Sequence, residues 1–402
     1  MTQRLLLVAG EASGDLHGGY LAEALHAHQP ALQLLGVGGR RMREAGVEVL
    51  FDVQHLAVVG AVEGLHSLRT LWGLYRMLLT RVEREPVDAV VLIDFPGFNL
   101  KLAHAFTQRG IPVLYYIAPQ IWAWRAGRMH KIRQRVRKLF VILPFEEALY
   151  RKAGIEAEFV GHPLLDVVRS TLSKPEACSR FGLDPHAPIV GLLPGSRRSE
   201  IQYLLRPMLE AARRIRSHLE TAQFVLPLAE TLDPRAVQGV LAAAPVPVRL
   251  VQHHTYDVMR MADVLLVASG TATLEAALLG TPMVIVYKGH VLTYLLARAV
   301  LRIPWIGLPN IVAGRPLVPE LHQSAVTPHR MAAEALALLT HPEHAAAMRH
   351  ALGHLQNQLG APGVPERVAR GILRYLETHT EGSRCNVQGS MSPEPRPVNR
   401  EP

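Results

Sequence analysis

The sequence predicts an α/β protein of two domains, each a parallel sheet covered by helices, facing each other across a cleft. Three observations predict it. The 402 residues are 49% hydrophobic, enough chain for two full cores. Apolar runs of strand length alternate with helical stretches from the start, which is the pattern of βαβ units. The alternation pauses at residues 170–188 and then restarts. We therefore expect an N-terminal domain over 1–168 and a C-terminal one over 169–345, both Rossmann-like. Helices in 346–379 are expected to cross back onto the first domain. Residues 380–402, rich in Pro, Ser and Gly, read as a disordered tail.

In chain order, the first series of strands is Arg4–Ala9, Leu32–Val37, Val87–Asp94, Pro112–Ile117, Leu139–Leu143 and Glu158–Val160. The second is Ile189–Leu193, Gln223–Pro227, Val248–Val251, Val264–Ala268 and Met283–Tyr287. Val87–Asp94 is the most telling, because an unbroken apolar run ending in a carboxylate is a strand buried on both faces. Its acid emerges at the C-terminal tip, where open α/β sheets bind ligands.

Composition narrows the function. A net charge of +9 points to an anionic partner: nucleic acid, a nucleotide or an anionic membrane surface. The basic residues are spread over several helices and no helix-turn-helix, RRM or zinc-finger pattern appears, which argues against nucleic acid. Two cysteines, Cys178 and Cys385, supply neither a disulfide framework nor a Cys-rich zinc site and suit a reducing compartment. The run Leu5–Ala9 is too short for a signal peptide, and Arg298 and Arg302 break the apolar stretch Val291–Leu308, so the expected location is cytoplasmic.

Four constellations carry chemistry. Gly10-Glu11-Ala12-Ser13-Gly14-Asp15 joins a strand to a helix without the G-x-G-x-x-G spacing of dinucleotide sites. Ser13 or Asp15 suits a helix cap, whereas Glu11 has no capping duty and is the better ligand contact. Asp94-Phe95-Pro96-Gly97-Phe98-Asn99 presents a carboxylate suited to remove a proton from a sugar hydroxyl, with Asn99 capping the next helix or orienting the acid. Capping is the competing role for Asp94, and His17 is a rival base. In the second half, Gly195-Ser196-Arg197 and Ser269-Gly270-Thr271-Ala272-Thr273-Leu274-Glu275 each open a helix at a strand tip. Backbone N–H groups, a helix dipole and a guanidinium there suit a pyrophosphate, and Glu275 suits ribose hydroxyls. No Walker lysine follows Gly195 and no Asp-x-Asp metal motif appears, leaving the cation role to arginine and backbone. The two tryptophans Trp122 and Trp124 either pack a core corner or line a sugar or acyl pocket.

Residues 65–84 form an amphipathic helix with Leu71, Trp72, Leu74 and Leu78 on an apolar arc of roughly 160° and Arg69 and Arg76 opposite. It fits a core-facing helix and an interfacial membrane helix equally.

Together with Val160-Gly-His-Pro163, Leu308-Pro-Asn310 and Pro319-Glu-Leu-His-Gln323, these motifs resemble the lipid-A-disaccharide synthases, glycosyltransferases of GT-B architecture from Gram-negative bacteria. The resemblance runs from about residue 4 to 375. It implies an inverting transfer from UDP-2,3-diacylglucosamine to 2,3-diacylglucosamine 1-phosphate, giving a β(1→6) disaccharide and UDP, with no cofactor or metal. Asp94 would be the base. Ser196, Arg197, Ser269, Gly270, Thr271 and Thr273 would hold UDP phosphates, and Glu275 the ribose. Asn310, Glu320 and Gln323 would serve the donor sugar or the domain interface; Glu11, Ser13, Asn99, Trp122 and Trp124 the acceptor. Acylated substrates imply peripheral attachment to the cytoplasmic face of the inner membrane through residues 65–84; a homodimer stays open. The alternatives are a UDP-N-acetylglucosamine 2-epimerase, a MurG-like transferase, or a nucleotide-sugar sensor without catalysis.

Overall fold

The computed structural model describes residues 3–56, 64–120, 129–229, 232–290 and 304–388. The first sheet is built from β1 (Arg4–Ala9), β2 (Gln33–Gly38), β3 (Glu48–Asp52), β4 (Ala89–Ile93), β5 (Val113–Tyr116), β6 (Lys138–Val141) and β7 (Ala157–Phe159). Between them run α1 (Ala12–His28), α2 (Arg40–Glu44), α3 (Gly64–Arg84), α4 (Pro96–Gln108), α5 (Met129–Arg135) and α6 (Pro144–Lys152). The linker carries α7 (Leu164–Val167) and α8 (Lys174–Phe181).

The second sheet contains β8 (Ile189–Leu193), β9 (Gln223–Leu228), β10 (Val248–Gln252), β11 (Val264–Ala268), β12 (Met283–Tyr287) and β13 (Glu320–His322). Its helices are α9 (Arg198–His218), α10 (Arg235–Ala242), α11 (Thr255–Met261), α12 (Thr271–Leu278), α13 (Leu308–Ala313), α14 (Pro328–Thr340) and α15 (Pro342–Gln358). Finally, α16 spans Val364–Gln388.

All strand pairs are parallel, in the orders β3-β2-β1-β4-β5-β6-β7 and β10-β9-β8-β11-β12-β13. In each sheet the order reverses once, between β1 and β4 and between β8 and β11. Those reversals open the crevices in which doubly wound sheets hold ligands. The sheets are buried on both faces: Leu5 and Leu7 point into one core, Leu6 and Val8 into the other. The edge strands β3 and β13 were not predicted. They are short: β3 has three partly buried apolar residues between Glu48 and Asp52, and β13 has the single apolar Leu321 between Glu320 and His322, too little to mark a strand.

Two crossings join the halves, and they bind each other. The His162 N–H donates to Leu359 O at 2.9 Å, and the Asp166 carboxylate accepts the N–H groups of Gly363 (2.6 Å) and Val364 (2.9 Å). Arg367 donates from Nε to Val160 O at 2.8 Å. Beyond this junction α16 packs on α1 and buries Val364, Val368 and Ile372 against the first sheet. The return begins at Leu359, later than expected, because α15 still packs on α12, α13 and α14. The helix α16 also continues to Gln388, into the segment expected to be disordered from residue 380.

Candidate active site

The Asp94 turn sits at the first sheet's reversal point. Asp94 and Phe95 both take left-handed backbone conformations, with φ of 47° and 49°. Such strain persists only where the surroundings hold it. Here Tyr115 OH and Asn99 Nδ2 donate to the Asp94 carbonyl at 2.6 and 2.8 Å, and the Asp94 N–H donates to Tyr116 O at 3.0 Å. Gly10 at the end of β1 admits the Phe95 ring: a Cβ there would lie 2.2 Å from it. Burial, with the Glu11 carboxylate across the reversal adding to it, pushes the Asp94 carboxyl above its ordinary pKa. Glu11 and Ser13 are exposed beside this turn, as an acceptor contact requires. Asn99 is not available for that duty: it is fully buried, and its amide also reaches Val8 O and Ile93 O. It orients the acid's turn instead.

Asp15 is a cap, though of α2 rather than of α1. Its carboxylate accepts the N–H groups of Gly39 (2.6 Å), Met42 (3.0 Å) and Arg41 (3.0 Å). His17 faces the junction between the halves, where burial lowers its pKa to about 4 against the opposing pull of Asp166. His162 beside it is lowered to about 3 by burial and by His17. Trp122 and Trp124 lie outside the described residues.

The second reversal point opens a cavity of about 770 Å³ over the tips of β8, β9, β10 and β11. Of the residues expected to bind a nucleotide diphosphate, Ser196, Arg197, Ser269, Gly270, Thr271 and Glu275 all line it. Thr273 does not. It is fully buried and its Oγ1 donates to Gly270 O at 2.7 Å, closing the first turn of α12. Burial raises the pKa of Glu275, and Tyr256 OH donates to its Oε1 at 3.3 Å. The loop before α9 is already occupied: the Glu200 carboxylate accepts the N–H groups of Ser196 (2.9 Å) and Arg197 (3.1 Å). Gly195, at φ 116°, makes room for it, since a Cβ there would meet Glu200 Oε2 at 2.2 Å.

Sequence reasoning missed Arg169, His253, Tyr256 and Asp257, which also line the cavity. The segment following β10 stands at a strand tip, the same rule that selected Gly195 and Ser269, and it should have been read that way.

Asn310, Glu320 and Gln323 do not line this cavity. Asn310 is 1% exposed and fully engaged: Nδ2 donates to Val318 O and Glu320 Oε1, and Oδ1 accepts from Leu317 and Val318. Burial opposes ionisation of Glu320, but donors from His322, Ile306, Asn310 and Gly307 outweigh it and lower its pKa. The pair clasps the turn ahead of β13. Gln323 sits at φ 48° with a buried Nε2 that has no partner among the described residues.

In α3, Leu74 and Leu78 are 2% and 0% exposed and pack on the first sheet, which removes them from any membrane face. Trp72 is 62% exposed and stacks on Tyr75, with Arg69 and Arg76 also exposed. No described helix is long and apolar enough to cross a membrane.

Comparison with known proteins places this geometry. A family model for lipid-A-disaccharide synthetase matches residues 5–365. The lipid-A-disaccharide synthase of Syntrophus aciditrophicus is 47% identical over 374 residues, covering 93% of this chain and 98% of that protein. The enzyme of the same name from Geobacter sulfurreducens is 45% identical over 376 residues, covering 93% and 98%. Among solved structures, the UDP-GlcNAc 2-epimerase from Neisseria meningitidis superposes with a TM-score of 0.65 at 13% identity, covering 92% of this chain and all (100%) of that one. The calicheamicin glycosyltransferase gives 0.59 at 17% identity, covering 94% and 99%. Those two share the two-sheet fold.

Proposed function

The chain belongs to the lipid-A-disaccharide synthase family, a hexosyltransferase of GT-B fold acting in lipid A synthesis, and on that premise we propose how its residues divide the work. The donor is a UDP-sugar and the acceptor a sugar; the finer identities are UDP-2,3-diacylglucosamine and 2,3-diacylglucosamine 1-phosphate. The observation that carries the assignment is the pairing of reversal points: a strained, partly buried carboxylate at one, a nucleotide-sized cavity at the other.

Asp94 accepts the proton of the acceptor 6-hydroxyl as that oxygen attacks the donor's anomeric carbon. The bond from this carbon to the diphosphate breaks on the opposite face, so configuration inverts and UDP departs with the electron pair. A raised pKa brings Asp94 nearer the hydroxyl it must deprotonate. Arg197, Ser196 and the Ser269–Thr271 loop stabilise the charge growing on the leaving diphosphate, with the N-terminus of α12 behind them. Glu275 holds the ribose, and Glu11 and Ser13 the acceptor. Peripheral attachment to a membrane uses the outward face of α3, Trp72 with Arg69 and Arg76.

The deciding experiment supplies the diacylated UDP-glucosamine with and without the diacylated sugar phosphate and measures UDP. Acceptor-dependent UDP with a disaccharide product is expected. Turnover of UDP-N-acetylglucosamine alone would favour the epimerase chemistry of the structural neighbours.

A further inference from the structure

We infer that Arg169 is a second cation, beside Arg197, that holds the donor's diphosphate, and that through it donor binding is felt by the linker between the two sheets. The inference rests on the reading of the 770 Å³ cavity as the UDP-sugar site. A diphosphate entering that cavity brings at least two negative charges, and the wall already carries Glu200, Asp257 and Glu275. Two guanidinium groups line it. Arg197 shares its charge with Glu200, Nη1 lying 3.4 Å from Oε1, and keeps its other donors exposed to the cavity. Arg169 makes no hydrogen bond or ion pair with any described residue, so its donors are open to a ligand. A guanidinium matches phosphate oxygens in a two-point geometry that a point charge does not.

The backbone around Arg169 is held on both sides. After it, Asp257 (4% exposed) accepts Ser170 Oγ at 2.9 Å, the Thr171 N–H at 2.6 Å and the Leu172 N–H at 2.9 Å through one oxygen. Before it, Asp166 grips the N–H groups of Gly363 and Val364 on the returning crossing. Arg169 thus stands between one anchor on the second sheet and another on the junction. A ligand bound to its side chain adds a third, inside the segment that sets how the halves meet.

The test measures UDP and uridine binding by calorimetry for the wild-type chain, Arg169→Ala and Arg169→Lys. Hydrogen exchange over residues 166–172 is followed with and without UDP. Arg169→Ala is expected to weaken UDP tenfold or more and uridine less than twofold, with Arg169→Lys in between. UDP is expected to slow exchange in the segment for wild type only. UDP affinity within twofold of wild type in Arg169→Ala overturns the inference and leaves the cavity reading standing. An equal loss for uridine overturns the diphosphate assignment, and equal protection in Arg169→Ala overturns the coupling. A wild-type chain that binds no UDP overturns the cavity reading and this inference with it.

Discussion

Glu200 lies against Arg197 at both of that residue's polar ends: its carboxylate accepts the Arg197 N–H at 3.1 Å and lies 3.4 Å from the guanidinium. An internal carboxylate therefore sits where the sequence led us to expect a phosphate, at the N-terminus of α9.

Removing that charge should help the donor and cost the helix. Glu200→Gln keeps one acceptor for the loop N–H groups but abolishes repulsion with a diphosphate. UDP should bind several-fold tighter, while loss of the charged cap should lower stability by about 1 kcal/mol. Calorimetry and thermal melting would report the two effects separately.

Asp94→Asn should lower kcat by about 10²–10⁴ with little change in KM, as for loss of a general base. Its neighbour gives a sharper check. Glu11 helps raise the Asp94 pKa, and a carboxylate base works deprotonated. Glu11→Gln should therefore move the acid limb of the kcat/KM profile to lower pH. A limb that stays in place would separate Asp94 from that titration.

Burial depresses the pKa values of His17 and His162 to about 4 and about 3. A histidine harder to protonate folded than unfolded gives stability that is complete above pH 6.5 and lost as pH falls toward those values. The melting temperature should drop through that window. His162→Asn, which retains an acceptor for the Leu164 N–H now held at 3.2 Å, should flatten the drop.

On α3, Trp72→Glu should reduce binding to anionic liposomes without a change in melting temperature. Leu78→Glu should unfold the protein, because it places a charge in the sheet-facing core. Unchanged liposome binding for Trp72→Glu would remove this face from membrane contact.

Local pattern made part of this legible and hid the rest for definite reasons. The tips bearing Asp94, Gly195 and Ser269 follow apolar runs that only a strand buried on both faces requires, so the reversal points could be located from sequence. The amphipathic period of α3 fixes which residues share a face, but not that the first sheet covers Leu74 and Leu78. Position on a family motif does not separate contact from support, which is why Asn99, Thr273 and Asn310 proved to be internal clasps. Arg169 gave no local signal at all. It is brought to the cavity by hydrogen bonds that its neighbours donate to Asp257, 86 positions from Thr171.

The packing of α16 on α1 bears on how the protein is made. One face of the first sheet is completed by a helix that follows the whole second sheet in the chain. A ribosome emitting this chain releases β1 to β7 long before their last covering helix. The second sheet, with its own helices contiguous in sequence, can close first. The half that begins synthesis is thus the half that finishes folding last, and its uncovered strands are what a chaperone would have to shield in the interval.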